Sequence, residues 1–143
     1  MYKHLLLSTI LTLQTPVLDA KQVTIEVNNI DISKKGNVIV MIFGESGFPK
    51  DHQQTLAKQT QRVQRTKQTF TFTISAKEFA VKVLHDENQD GKVTKNWTGI
   101  YPKDGLGFTN KQRVGLTGPP SFQKSRILLS EVDSNLAIDI VYP

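Results

Sequence analysis

Asp86, Asn88 and Asp90 stand at alternate positions, and Gly91 follows them. Calcium loops of the EF-hand type place oxygen ligands at their first, third and fifth positions. A glycine follows at the sixth, a backbone carbonyl at the seventh and a bidentate Glu at the twelfth. On that template Lys92 offers its carbonyl, and Thr94 offers an oxygen directly or through water. Trp97 takes the place of the closing Glu and cannot ligate. The expectation is a weak calcium site completed by Glu87, Asp104 or loop carbonyls. The same spacing also makes Asx-turns, in which each side chain bonds the backbone two residues on. Gly91 supplies a positive φ under either reading.

His85 directly precedes this run and shares parity with Phe79, Val81 and Val83. That parity points it inward, as a hydrogen-bonded histidine tying the loop to the core. With Asp86 and Glu87 beside it, it is also a candidate general base or transition-metal ligand. An enzyme centred on His85, Asp86 and Glu87 requires a concave polar pocket there. A structural module requires His85 and Trp97 to be packed. His52 lies far off in a basic connection, and His4 lies near the first residue. Ser121 lacks the G-x-S-x-G context of a hydrolase nucleophile. Gly105-Leu106-Gly107-Phe108 has no following Lys-Ser/Thr, so it does not read as a phosphate loop. Trp97, Tyr101 and Phe108 form a candidate platform for a glycan or peptide, or a plug for one open end of the domain.

Three segments carry a resemblance. His85-Asp86-Glu87-Asn88-Gln89-Asp90-Gly91-Lys92 resembles the HDENGNGK signature of the bacterial family called domain of unknown function 2141. Gly99 to Asn110 resembles its GIPtEpyGfSN segment, and Gly118-Pro119-Pro120-Ser121-Phe122 its gPPsF segment. Thr94 stands where the family often has Asp, and Lys103 where it often has Glu. The resemblance implies a secreted, β-sandwich-like domain and no particular activity.

The elements that must hold these residues read mostly at period two. Val23, Ile25 and Val27 alternate with polar residues, as in a half-buried strand. Val38 to Phe43 is wholly apolar and reads as a central strand buried on both faces. The turn cluster Ser33 to Asn37 between them predicts a hairpin. Glu45 to Thr66 is the least strand-like stretch. Pro49 there suits the first turn of a short helix running to about Arg65, or an irregular connection. Further alternating strands are predicted at Phe70 to Ile74, Phe79 to Val83, around Ile127 and Leu129, and at Leu136 to Ile140. Gly99 to Thr117 is a candidate seventh. The expected fold is all-β: an antiparallel sandwich, immunoglobulin-like or prealbumin-like, of about seven strands. It has one long ordered loop from His85 to Phe122 and at most one short helix.

Residues 1–20 have the order of a secretory signal peptide. Lys3 opens it, Leu5 to Leu13 is apolar, and Ala20 is the expected cut. The apolar run is too short for a transmembrane span. The mature chain, 21–143, reads as one domain, exported to a periplasm or cell exterior. With 143 residues, no Cys and 22% charged residues, the composition excludes a disulfide scaffold and any thiolate chemistry. The formal charge of +5 is partly local, with Lys50, Lys58, Arg62, Arg65 and Lys67 facing Asp51 alone. That stretch has no aromatic for base stacking, so nucleic acid is not an expected partner. It reads as a solvated face with a weak attraction to anionic surfaces. The preferred function is a non-enzymatic binding or envelope module. Its ligand and oligomeric state are left open.

Overall fold

The computed structural model describes residues 10–14 and 19–143. Most of the predicted leader therefore lies outside the described residues. Eight strands follow it. They are β1 (Lys21–Asn28), β2 (Asn37–Phe43), β3 (Ala57–Arg62), β4 (Gln68–Ile74), β5 (Glu78–Asp86), β6 (Gly105–Phe108), β7 (Ile127–Leu128) and β8 (Asn135–Asp139). One four-residue helix, α1 (Phe122–Ser125), and three 3-10 turns complete the described chain. A three-stranded sheet runs β4-β1-β8, and a second runs β3-β2-β5-β6 with β7 also paired to β5. The two form the expected sandwich. All pairs are antiparallel except β1 with β8, which is parallel.

Alternation assigns the layers. Val23, Ile25 and Val27 of β1 and Phe70, Phe72 and Ile74 of β4 bury one face of the first sheet. They meet Val38, Val40 and Ile42 of β2 and Phe79, Val81 and Val83 of β5 in the main core. Each such side chain contributes about 1.5–3 kcal/mol when fully buried. The other face of the second sheet is apolar too. Ile39, Met41, Phe43, Leu84, Leu106 and Phe108 form a second core there, roofed by Phe48, Val93 and Val114 from the connections. Phe48 packs edge-on against Phe43, Phe108 and Phe122 at 5.5, 6.2 and 6.0 Å between ring centroids. The run Val38 to Phe43 is thus apolar throughout because it is covered on both sides.

Four expectations are corrected. β1 and β2 do not form a hairpin; they lie in different sheets. A half-exposed strand and a doubly covered one need different surroundings, and the connection between them crosses from layer to layer. Residues 45–66 hold no helix beyond a 3-10 turn at His52–Gln54, and β3 is a strand. Its polar residues suit a sheet edge, where pairing with β2 overrides weak propensity. Gln59 and Gln61 extend that role by donating to the Thr71 and Thr69 carbonyls of β4, at 2.6 and 2.9 Å, which bridges the two sheets. β5 is buried on both faces rather than one, Lys82 included. The long loop is broken by β6, whose Gly105 and Gly107 lie against β8 and the residues after it. A Cβ on Gly107 would come within 2.7 Å of Ile138 Cγ2 and 2.8 Å of the Asp139 carbonyl. These glycines let Leu106 and Val141 exchange two backbone hydrogen bonds, at 3.0 and 2.8 Å.

Candidate functional site

At the end of β5 the chain folds back on its own side chains. Gly91 N donates to Asp86 Oδ2 at 2.7 Å, Asp90 N to Asn88 Oδ1 at 3.4 Å and Lys92 N to Asp90 Oδ1 at 2.9 Å. The Asx-turn expectation therefore describes the backbone of this loop. Gln89 and Gly91 both have positive φ, at 60° and 72°. The hydrogen bond from Lys92 N, with that from Asn88, holds the Asp90 carboxyl below its usual range. Asp86 is only 1% exposed, and its Oδ1 is enclosed with no hydrogen-bond partner. Asp104 is buried near it and accepts from Thr94 N at 2.6 Å. Burial pushes the Asp104 carboxyl up, and the charges of Asp86 and Glu87 add to the rise. Among the described residues no three histidines and carboxylates converge as a metal set. A cation here would have to draw on Asn88 and on backbone oxygens as well as carboxylates.

His85 is fully enclosed. Its Nε2–H donates to the Lys35 carbonyl at 2.9 Å, and its Nδ1 accepts from the Tyr142 hydroxyl at 2.7 Å. That hydroxyl oxygen accepts in turn from Asp31 N at 2.9 Å. For the neutral ring the Lys35 carbonyl, an acceptor only, fixes the tautomer with its proton on Nε2. His85 borders none of the larger clefts. Glu87 is half-buried and pairs with Lys34 at 3.3 Å.

Residues 94–103 fold into a small hairpin: Lys95 bridges Pro102, Asn96 N donates to the Tyr101 carbonyl at 2.8 Å, and Lys103 N to the Thr94 carbonyl at 2.7 Å. Trp97 sits at its tip and is 96% exposed, so it is not packed as a structural module would require. Phe108 is buried in the second core, and Tyr101 meets it only along a cleft shared with Arg113 and Val141. The structure does not gather these three aromatics on one exposed face.

A cleft of 770 Å³ lies on the outer face of the second sheet, between residues 49–58 and the loops of 90–119. Pairing across the sheet sets out part of its floor: Lys58 lies opposite Met41, Met41 opposite Lys82, and Lys82 opposite Phe108. Lys82 is 4% exposed. Its Nζ donates to the Pro49 carbonyl at 2.8 Å and to His52 Nε2 at 2.9 Å. His52 Nδ1–H then donates to the Gly91 carbonyl at 3.0 Å, which ties the acidic loop to the cleft. Burial lowers the Lys82 ammonium from 10.5 to about 8. Burial, with the nearby Lys82 charge, also lowers His52. Sequence reasoning missed both residues. The available signal was a lysine inside the otherwise apolar run Phe79 to Leu84, on the same parity as Ala80 and Leu84.

In comparison with known proteins, a family model described as "Uncharacterized protein conserved in bacteria (DUF2141)" matches residues 25–137. No curated protein and no solved structure matches the chain. Among the described residues, no helix is long and apolar enough to cross a membrane.

Proposed function

This chain belongs to the DUF2141 family of bacterial proteins, and on that footing we propose that it is an exported, non-enzymatic β-sandwich module. Its loop after β5 walls a ligand-binding groove, and a calcium ion at Asp86 locks that loop in shape. One observation carries the reading: the enclosed Asp86 oxygen without a partner. A buried carboxylate oxygen left unpaired is costly, and it calls for a group that supplies what the protein does not. Asp86 Oδ1, the second lone pairs of Asn88 Oδ1 and Asp90 Oδ1, and the Lys92 carbonyl are, with Thr94, the oxygens of the predicted pattern. Calcium accepts such mixed sets of carboxylate, amide and carbonyl oxygens. The raised carboxyl of Asp104 supports the same reading, because a cation nearby would relieve its burial. Enclosure of His85, with both ring nitrogens engaged, favours the non-enzymatic module over an enzyme built on His85, Asp86 and Glu87.

Calorimetry of the mature protein with millimolar Ca²⁺ is the test. Heat of binding and a raised Tm are expected, and Asp86→Asn and Asp90→Ala each abolish both. Absence of heat together with an unmoved Tm removes the calcium ion from the proposal.

A further inference from the structure

Lys82 is a buried cation with no carboxylate partner. The ion pairs among the described residues are Lys34 with Glu87, Lys67 with Glu26 and Arg126 with Glu78, and none reaches the groove. Taking a charge out of water is expensive unless an opposite charge compensates it. Both partners of Lys82 Nζ are acceptors, the Pro49 carbonyl and His52 Nε2, and with its pKa lowered to about 8 the nitrogen is mostly ammonium at neutral pH. An ammonium has three donors. Two are used, and Lys82 borders the open cleft. Lys50, Lys58, Lys92 and Lys95 also border it, against the single carboxylate of Asp90. The remaining wall is apolar and includes Val93, Ile100, Leu106, Phe108 and Val114. At 770 Å³ the groove has the size of a small-molecule site, in the range of about 300–1,000 Å³.

We propose that this groove binds an amphipathic anion, its oxyanion head on Lys82 and Lys58 and its apolar body along Val93, Leu106 and Phe108. A carboxylate and a phosphate offer the same chemistry to a lysine, which holds an anion as a point charge rather than a fork. The apolar body distinguishes this ligand from a free inorganic ion, because only an attached tail covers the aliphatic wall. The inference deepens the binding-module reading and rests on it for the placement of the 87–104 loop as a wall.

Isothermal calorimetry with octanoate and with octyl phosphate tests it, in calcium and again in EDTA. Octanol serves as the neutral control, and acetate and inorganic phosphate as the tail-less ones. Micromolar binding of at least one octyl anion is expected, with no comparable binding of octanol, acetate or phosphate. The two octyl anions distinguish the head groups. Lys82→Met should weaken binding about tenfold or more. Lys58→Gln, at an exposed position whose loss leaves the fold intact, should weaken it severalfold. Equal binding of octanol, no binding of either octyl anion, or full affinity in both folded variants overturns the proposal. The calcium reading fails or stands separately: octyl-anion binding in EDTA with no calcium heat sinks only the ion, and calcium heat without octyl-anion binding sinks only the groove.

Discussion

A lysine under a sheet's outer face makes a prediction about pH. In the folded chain burial lowers the Lys82 ammonium from its ordinary 10.5 to about 8. Between those values the unfolded chain binds more protons, so stability rises with pH across that window. Below it the burial of charge costs something of order 3 kcal/mol. Thermal melts from pH 7 to 11 should therefore show wild type gaining on Lys82→Met, with the difference levelling off above 10.5. Parallel curves would mean that Lys82 is not desolvated. Asp104 works in the opposite direction. Its raised carboxyl makes the folded state lose stability as pH climbs through the folded value, chiefly because burial disfavours the charge. Asp104→Asn keeps an acceptor for Thr94 N and removes the charge. In EDTA at neutral pH it should raise Tm, and it should weaken the Tm response to calcium; a lower Tm in EDTA refutes the burial argument. Residue-scale reading of the sequence located Asp86, Asn88 and Asp90 because local spacing encodes local turns. It read Phe79 to Val83 only as an alternating strand, because period-two alternation cannot say that a second layer of loops covers the far side.

Strands were legible where one face is wet. β1, β4 and β8 alternate and were found at their places, and β2 was recognised as covered on both sides. β3 was not, because its Lys-Gln-Thr-Gln-Arg run has no apolar phase; its strand form comes from the edge of β2 and from two glutamines reaching β4. Pairing was the least legible level. A turn between β1 and β2 suggested a hairpin, yet β1 takes β4 and β8 as neighbours from more distant sequence. β6 lies within Gly99 to Thr117, the candidate seventh strand, in a glycine-rich stretch whose glycines proved to be spaces for another segment. Gly107→Ala tests this directly: its methyl would press on Ile138 and the Asp139 carbonyl. Overpacking of this kind costs about 1–3 kcal/mol. Denaturant melts should register that loss, whereas Gly115→Ala, with open space around its Cβ, should lose far less.

Across the whole molecule, export is the claim that rests on residues 1–20. Mass spectrometry of the protein recovered from its native cells should find a mature chain beginning near Lys21; an intact Met1 would refute it. The parallel seam between β1 and β8 bears on how such a chain reaches its final form. Ile25 lies opposite Leu136, and Val27 opposite Ile138, so the first strand waits for a partner more than a hundred residues downstream. Emerging from a ribosome or a translocation pore amino end first, the polypeptide cannot seal that flank until β8 is free. Up to that moment the β1 edge offers unpaired amides and carbonyls to any sticky neighbour. Vectorial synthesis thus leaves an open seam until β8 emerges, which is the interval in which a holdase chaperone would be of most use.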